Sequence, residues 1–313
     1  MVNLSYNLSP NINNSLEKIE NLRAKILLTP LSPDTELKLR WNAMIKRVHW
    51  SMVLHENDMT KPEIVKLLSS AINPKKKYSS NEKEILRYKR ALDYINHEWL
   101  VSERNISSKL LINLHDLATE GRLQISESSL KQILSYLQAS KEHPVIKAGI
   151  LQIALLEANA FTKGNGRTAR LASYLLLYKF GYDFRGLLCF EEYFKKDFIT
   201  YKENVERVSS GTNMTFWLEY FAKAIEEQLE KTLTDILQEK YSADIDKSLF
   251  ELNDRQKEIL SILEQPNVTI SNKKVQQLFK VSQITASRDL SRLLTLGLLY
   301  AHGKGRSLYY TKA

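Results

Sequence analysis

One cysteine in 313 residues, Cys189, excludes an internal disulfide, so nothing staples this fold and a reducing cytoplasm is the expected compartment. No apolar run approaches the ~20 residues of a membrane-spanning helix. The opening Met1-Val2-Asn3-Leu4-Ser5-Tyr6-Asn7 carries no signal-peptide pattern, so no membrane contact is expected. Internal repeats are missing too, which removes the solenoid classes. What is present is 43% hydrophobic and 26% charged, enough to bury a core for one helical body plus a smaller domain. The net charge of +9 is uneven. From Lys247 onward eleven Lys or Arg stand against five Asp or Glu, so six of the nine excess positive charges fall in the last fifth of the chain. Such a concentration fits a polyanionic partner or a solvated surface.

The densest local signal is Glu157–Arg170. Gly164 and Gly166 bracket Asn165, so the backbone can turn sharply and offer its N–H groups to an anion. A helix is expected at once, over 167–179, because Leu171, Leu175 and Tyr178 recur at helical spacing with no Pro or Gly between. A glycine turn opening a helix adds the positive end of the helix dipole. Arg167 and Arg170, three apart, then read as cationic forks for phosphate oxygens, or as two surface arginines at an ordinary helix start.

These residues resemble the signature of the Fic (Fido-fold) family, His-Pro-Phe-x-(Asp/Glu)-Gly-Asn-Gly-Arg-x-x-Arg, with Phe161, Gly164, Asn165, Gly166, Arg167 and Arg170 on family positions. Leu114-His115 with Gly121, Pro144–Leu156, Gly181-Tyr182, Glu192-Tyr193-Phe194 and Trp217-Leu218 extend the resemblance over about residues 35–230. It implies a mainly α fold, a nucleotide such as ATP as ligand, and transfer of AMP to a protein hydroxyl.

The departures fall on the chemistry. Asn159 stands where the resemblance places the general base, and a carboxamide has no basic lone pair to take a proton. Lys163 stands where it places the metal carboxylate; an ammonium repels Mg²⁺ but can pair with phosphate directly, so no metal site is expected. The substrate-aligning β-hairpin flap of the family has only residues 122–128 to occupy, too few for a hairpin with its connections. An impaired, phosphate- or nucleotide-binding site is expected. An active protein adenylyltransferase, with a base such as His55 or His115, is the alternative; His115 by itself reads as a packed core histidine, and Cys189 as core rather than nucleophile.

Residues Trp50–Thr60 resemble the family's inhibitory helix, whose (Ser/Thr)-x-x-x-Glu-(Gly/Asn) motif reaches the second signature arginine. Glu56-Asn57 matches, although Ser51 lies five residues before Glu56 rather than four. A Glu56–Arg170 pair is the expectation, against a plain exposed helix end at Glu56. The helix itself is capped by Ser32-Pro33-Asp34.

The tail carries an independent pattern. Short helices are expected over 255–265, 271–279 and 283–295, the first stopped by Pro266 and the last closed by Gly297. Two β-rich runs follow, around Gly303-Lys304-Gly305-Arg306. The tail from about Lys247 is similar to the winged helix-turn-helix superfamily, including Leu293–Leu299 as its closing turn. That similarity sets the third helix in a major groove, presenting Gln283, Thr285, Ser287, Arg288, Ser291 and Arg292, with Lys304 and Arg306 on backbone or minor groove. Winged helices also serve as docking or dimerisation modules.

The expected organisation is an N-terminal helical region over 1–73, a Fic-like helical domain over 74–230 opened by the lysine-rich Pro74–Lys77, a connecting helix over 231–246 and a winged helix-turn-helix domain over 247–313. The amphipathic stretch 215–239 either joins body to tail or pairs two chains in a homodimer. The fold class is mainly α: a Fic/Fido-like helical body with a C-terminal winged-helix DNA-binding domain. Duplex DNA and a nucleotide or phosphate ligand are the expected partners.

Overall fold

The computed structural model describes residues 5–70, 76–210, 213–238, 252–263, 268–296, 298–303 and 307–312. Lys304, Arg306, Gly297, Pro266 and part of the 74–77 linker, all singled out by the sequence, lie outside these.

The chain divides into two compact units, Met1–Ser242 and Ala243–Ala313. The first contains α1 (Pro10–Leu28), α2 (Pro33–Val53), α3 (Lys61–Ser69), α4 (Ser80–Glu98), α5 (Ser108–Ala118), α6 (Glu127–Ala139), α7 (Pro144–Glu157), α8 (Asn165–Lys179), α9 (Glu191–Lys196), α10 (Phe198–Ser209) and α11 (Thr215–Gln238). Local chemistry starts most of these helices. Ser9, Ser32, Ser79, Ser107 and Ser126 accept a backbone N–H from the first turn that follows each, and Ser79 with Glu82 closes a capping box.

α7 is buried on every side from Val145 to Leu155, the mark of a helix surrounded by others. It forms an antiparallel hairpin with α8, and α10 and α11 pack on it while α4 and α5 pack on α8. Trp217 of α11 donates its indole N–H to Gly149 O at 2.8 Å, which satisfies the polar edge of a fully buried ring.

The boundaries differ from the sequence reading. Residues 10–70 are not a separate region: Ile12, Ile19 and Ile26, seven apart and fully buried, seal α1 against α11. No boundary falls at 230/231, because α11 runs unbroken to Gln238. Its buried positions pack on α1 and α7 within the same chain, while Phe216 and Leu237 of this helix stay exposed.

The second unit holds α12 (Asp254–Ile262), α13 (Asn272–Phe279), α14 (Gln283–Thr295) and the antiparallel strands β1 (Leu299–His302) and β2 (Tyr309–Lys312). Ile270 and Tyr310 exchange two backbone hydrogen bonds, at 2.9 and 2.7 Å, so β2 is paired on both edges. Ile259, Val275, Ala286, Leu290, Leu293 and Leu299 form the core. Lys280 caps α13 at φ +52°, and Ser282 opens α14 by accepting from Thr285 N at 3.2 Å. Asp289, 3% exposed, accepts from Arg255 Nε at 2.5 Å, Gln256 Nε2 at 2.9 Å and Asn253 Nδ2 at 3.3 Å, which ties α14 to the start of α12.

Candidate functional site

The turn between α7 and α8 gathers most of the residues that the sequence marks. Beyond Glu157 the chain reverses tightly: Asn159 N donates to Leu156 O at 3.1 Å, with Asn159 at φ +45°. It then runs extended. Gln124 N donates to Ala160 O at 2.8 Å and Thr162 N to Arg122 O at 3.1 Å, forming a single antiparallel bridge at Leu123–Phe161. Apart from that bridge, the segment from Thr119 to Ser126 forms no strand pair and no hairpin.

Gly164 follows at φ +62°, where a Cβ would lie 2.5 to 2.9 Å from three side-chain atoms of Thr119. Only glycine allows the turn both this conformation and this approach. Asn165 braces the loop, its Oδ1 accepting from Phe161 N at 3.2 Å and its Nδ2 donating to Leu155 O at 2.9 Å. The side chain is spent on the fold, so what Asn165 can offer a ligand is its backbone N–H, the group expected from the glycine turn. The N–H groups of Asn165, Gly166 and Arg167 have no intrahelical acceptor, since the first bond of α8 runs from Thr168 N to Gly164 O.

A cleft of about 540 Å³ opens over this turn and brings together Asn159, Lys163, Gly164, Asn165, Gly166 and Arg167. Asn159 and Lys163 are exposed, whereas Arg167 is 3% exposed. The opposite wall was not anticipated. It comes from α4, through Ser80, Lys83, Glu84 and Arg87, with His55, Thr119 and Glu120 beside it. A signal for it exists in the sequence: the capping box Ser79–Glu82 starts a helix whose Ser80, Glu84 and Arg87 recur at i, i+4 and i+7.

Two ion pairs join the walls. Arg167 Nη1 lies 3.2 Å from Glu84 Oε1, and Arg87 Nη2 lies 3.1 Å from Glu120 Oε1. Arg167 Nη2 also donates to Thr119 Oγ1 at 3.0 Å, while its buried Nε has no hydrogen-bond partner among the described residues. Burial pushes the Arg167 pKa down, yet a guanidinium starts far above neutrality and stays charged. His55 is shifted down by burial and by the Arg167 charge, so it is neutral at pH 7.

Arg170 is not in the cleft lining. At 4% exposure it turns against α2, donating from Nε and Nη2 to Ser51 Oγ at 3.0 and 2.8 Å and from Nη2 to Ser51 O at 3.1 Å. Glu56 sits exposed at φ +61° just past the end of α2 and makes no ion pair with Arg170 among the described residues. The expected Glu56–Arg170 contact is therefore replaced by Ser51–Arg170. The helix stops at Val53 and the turn that follows sends Glu56 to solvent, while a hydroxyl and a carbonyl already satisfy the interior guanidinium. Glu191, fully buried near this point, accepts from Tyr174 OH at 2.6 Å, and burial raises its pKa.

His115 is fully buried, with Nδ1 2.9 Å from Thr168 Oγ1 and its ring stacked on Phe161 at 4.1 Å. It builds the floor and is out of reach of a ligand. Cys189 is also buried. Among the described residues no group of three His, Cys, Asp or Glu side chains is placed to hold a metal ion, and no helix is long and apolar enough to cross a membrane.

In the second unit α14 is two-sided. Ala286, Asp289, Leu290 and Leu293 are buried, while Gln283, Ile284, Ser287, Arg288 and Ser291 are exposed. Thr285 and Arg292 are half-buried, and Thr285 Oγ1 is held 3.0 Å from the capping Ser282 Oγ. Ser287 Oγ accepts from Asn272 Nδ2 at 2.8 Å, which leaves the hydroxyl proton free to donate outward. Ile284, 72% exposed, is an apolar member of this face that the sequence reading passed over.

The sequence pattern of the Fic/DOC family matches residues 120–177, from the cleft loop into the last turn of α8. Several solved structures are similar, among them the following three. A Fic family protein from Desulfovibrio desulfuricans G20 shares 15% identity at a TM-score of 0.60, over 98% of this chain and 97% of that one. Fic-1 from C. elegans (residues 134–508) shares 18% at 0.58, over 73% and 74%. A Fic domain containing signaling protein from Bacteroides thetaiotaomicron shares 16% at 0.56, over 78% and 99%. At these identities the likeness speaks to the fold. No protein of curated function matches.

Proposed function

We propose that this chain, whose body carries a Fic domain, is a DNA-binding regulator: its C-terminal winged helix binds duplex DNA and its cleft holds a phosphate-bearing ligand without transferring any part of it. The observation that carries the reading is the pairing of Asn159 and Lys163 on the cleft wall. Where the Fic resemblance calls for a base and a metal carboxylate, the chain offers an amide and an ammonium around an intact anion turn. Arg167, Lys163 and the free N–H groups can grip phosphate oxygens; none of them can take a proton from a hydroxyl at neutral pH.

DNA binding is supported by the exposed Gln283, Ser287, Arg288 and Ser291 on a helix packed from behind, by the β1–β2 hairpin and by the excess of basic residues in the tail. Fluorescence anisotropy with random-sequence duplex DNA should detect binding whose affinity falls steeply with salt, as phosphate contacts release counterions. Arg288→Ala should weaken it at every salt concentration, by about 1–3 kcal/mol if the side chain reads a base edge. Absence of binding at low salt would end the DNA reading.

One observation favours the enzyme alternative: neutral His55 lines the same cleft and has a lone pair. Incubation with labelled ATP and Mg²⁺ decides between them. The regulator reading expects no label on the chain or on added protein. Label that disappears in His55→Ala would make the protein an adenylyltransferase with a relocated base.

A further inference from the structure

One side chain on the outer face of α14 has no use for water. Ile284, Ser287, Arg288 and Ser291 stand at i, i+3, i+4 and i+7 and are all exposed, so they form a single stripe. Ala286, Asp289, Leu290 and Leu293 repeat the same spacing on the opposite, buried side. Three members of the exposed stripe are polar or charged. The fourth, Ile284, is 72% exposed and occupies the N-terminal end of the stripe, one residue inside the start of the helix. That is the end of a recognition helix that reaches base edges in helix-turn-helix docking.

Single apolar side chains on a surface are ordinary; what distinguishes this one is the frame that holds it. Asn272, at the start of α13, donates from Nδ2 to Gln283 O at 3.2 Å and to Ser287 Oγ at 2.8 Å, one residue before Ile284 and three after it. Ser282 accepts from Thr285 N at 3.2 Å and holds Thr285 Oγ1 at 3.0 Å. The first turn of α14 is thus tied to a second helix on both sides of Ile284, which fixes the aliphatic side chain relative to Arg288 on the same stripe. Among the groups that a major groove displays, the 5-methyl of thymine is the apolar one, and the rest are hydrogen-bond donors and acceptors. Ile284 can pack on that methyl, while Arg288 carries the paired donors that suit a guanine edge.

Resting on the reading of the C-terminal unit as a DNA-binding module, we infer that Ile284 sets part of its sequence specificity by packing on a thymine methyl, so that the preferred site carries a thymine that cannot be exchanged for an unmethylated pyrimidine without loss. Iterated selection from a random-sequence duplex library on the full chain supplies that site. Fluorescence anisotropy then compares it with copies in which single thymines are replaced by deoxyuridine, which removes the methyl and keeps the base pair. At one position the replacement should weaken wild-type binding about fourfold, the worth of burying one methyl. The same replacement should leave Ile284→Ala unchanged, because the side chain that covers the methyl is gone. Ile284→Ala, at a position too exposed to support the fold, should itself bind the thymine site at least about fourfold more weakly than the wild type. Any effect of the methyl on the shape of the duplex would persist in the variant, so the comparison isolates the contact. Deoxyuridine tolerated at every position, a methyl effect that persists undiminished in Ile284→Ala, or binding without sequence preference would each overturn the inference and leave DNA binding standing. Failure of every duplex to bind would overturn it together with the reading beneath it.

Discussion

Gly164→Ala is expected to cost the body about 2–5 kcal/mol and to abolish anion binding in the cleft. Two independent penalties meet at this position. A Cβ at φ +62° crowds the neighbouring carbonyl, worth roughly 1–2 kcal/mol. The same atom would stand 2.5 Å from Thr119 Cγ2 and 2.6 Å from its Oγ1, and overpacking of that kind costs about 1–3 kcal/mol. Thr119 cannot step aside cheaply. It is β-branched, 5% exposed, and its hydroxyl receives Arg167 Nη2, so any shift that accommodates the new methyl also moves the arginine that should grip the ligand. Gly166→Ala is the control: its Cβ would meet only the end of Arg170, Nη1 at 3.2 Å, and Leu156 Cδ2 at 3.9 Å, with an ordinary helical φ, and should cost under about 1 kcal/mol. Thermal unfolding followed by Trp fluorescence reports on the body alone, because Trp41, Trp50, Trp99 and Trp217 all lie in it. A drop on the order of 10 °C for Gly164→Ala is expected from the size of the unit. Equal midpoints for the two variants would sink the argument that this turn depends on its glycine.

The contrast between Arg167 and Arg170 marks what could be read in the sequence. Their spacing placed both on α8, and the glycine turn, the start of α8 and the limits of α14 followed from local rules that a sequence displays directly: missing side chains, caps and apolar periodicity. Which way each guanidinium turns depends on what another helix brings. α4 offers Glu84 to Arg167, and α2 offers Ser51 to Arg170, and nothing in the local pattern at 157–170 encodes either partner. The same limit explains Glu56. A motif match could place an acid near the end of α2, but the helix ends at Val53 and the turn beyond it decides that the carboxylate faces water. It holds for Asp289 as well: the carboxylate is buried because α12 brings Asn253, Arg255 and Gln256 against it, and nothing in the local pattern of α14 encodes those partners. The cleft residues of α4 show the complementary limit: the capping box and the spacing of Ser80, Glu84 and Arg87 mark a polar helix face, but only the packing of α4 on α8 makes that face a wall.

Asp289→Ala should loosen the C-terminal unit by about 2–3 kcal/mol and, on the proposed DNA-binding reading, weaken DNA binding without altering any of the exposed α14 side chains. The carboxylate accepts three hydrogen bonds from the first turn of α12 and its cap, and bonds to a charged group contribute about 1.5–3 kcal/mol when one partner is removed. Arg255 keeps partial access to water, with 28% of its side chain exposed, which holds the loss below the 3–5 kcal/mol of a fully buried pair. The pH dependence supplies a sharper test. Burial pushes the Asp289 pKa up, but the hydrogen bonds from Arg255, Asn253 and Gln256 outweigh it and leave the group below the ordinary carboxylate range. The unfolded chain, with an ordinary Asp pKa near 4, then takes up a proton before the folded one does. The contribution is complete above about pH 5 and drains away as the pH falls through the lowered folded value. Hydrogen exchange of the α12 and α14 amides in the full chain, corrected for intrinsic rates, should show protection lost on acidification in the wild type. Asp289→Asn, which keeps the shape and cannot titrate, should start less protected near neutrality and lack that acid-dependent loss. An acid limb identical in the two proteins would mean that the hub at Asp289 does not hold this unit together.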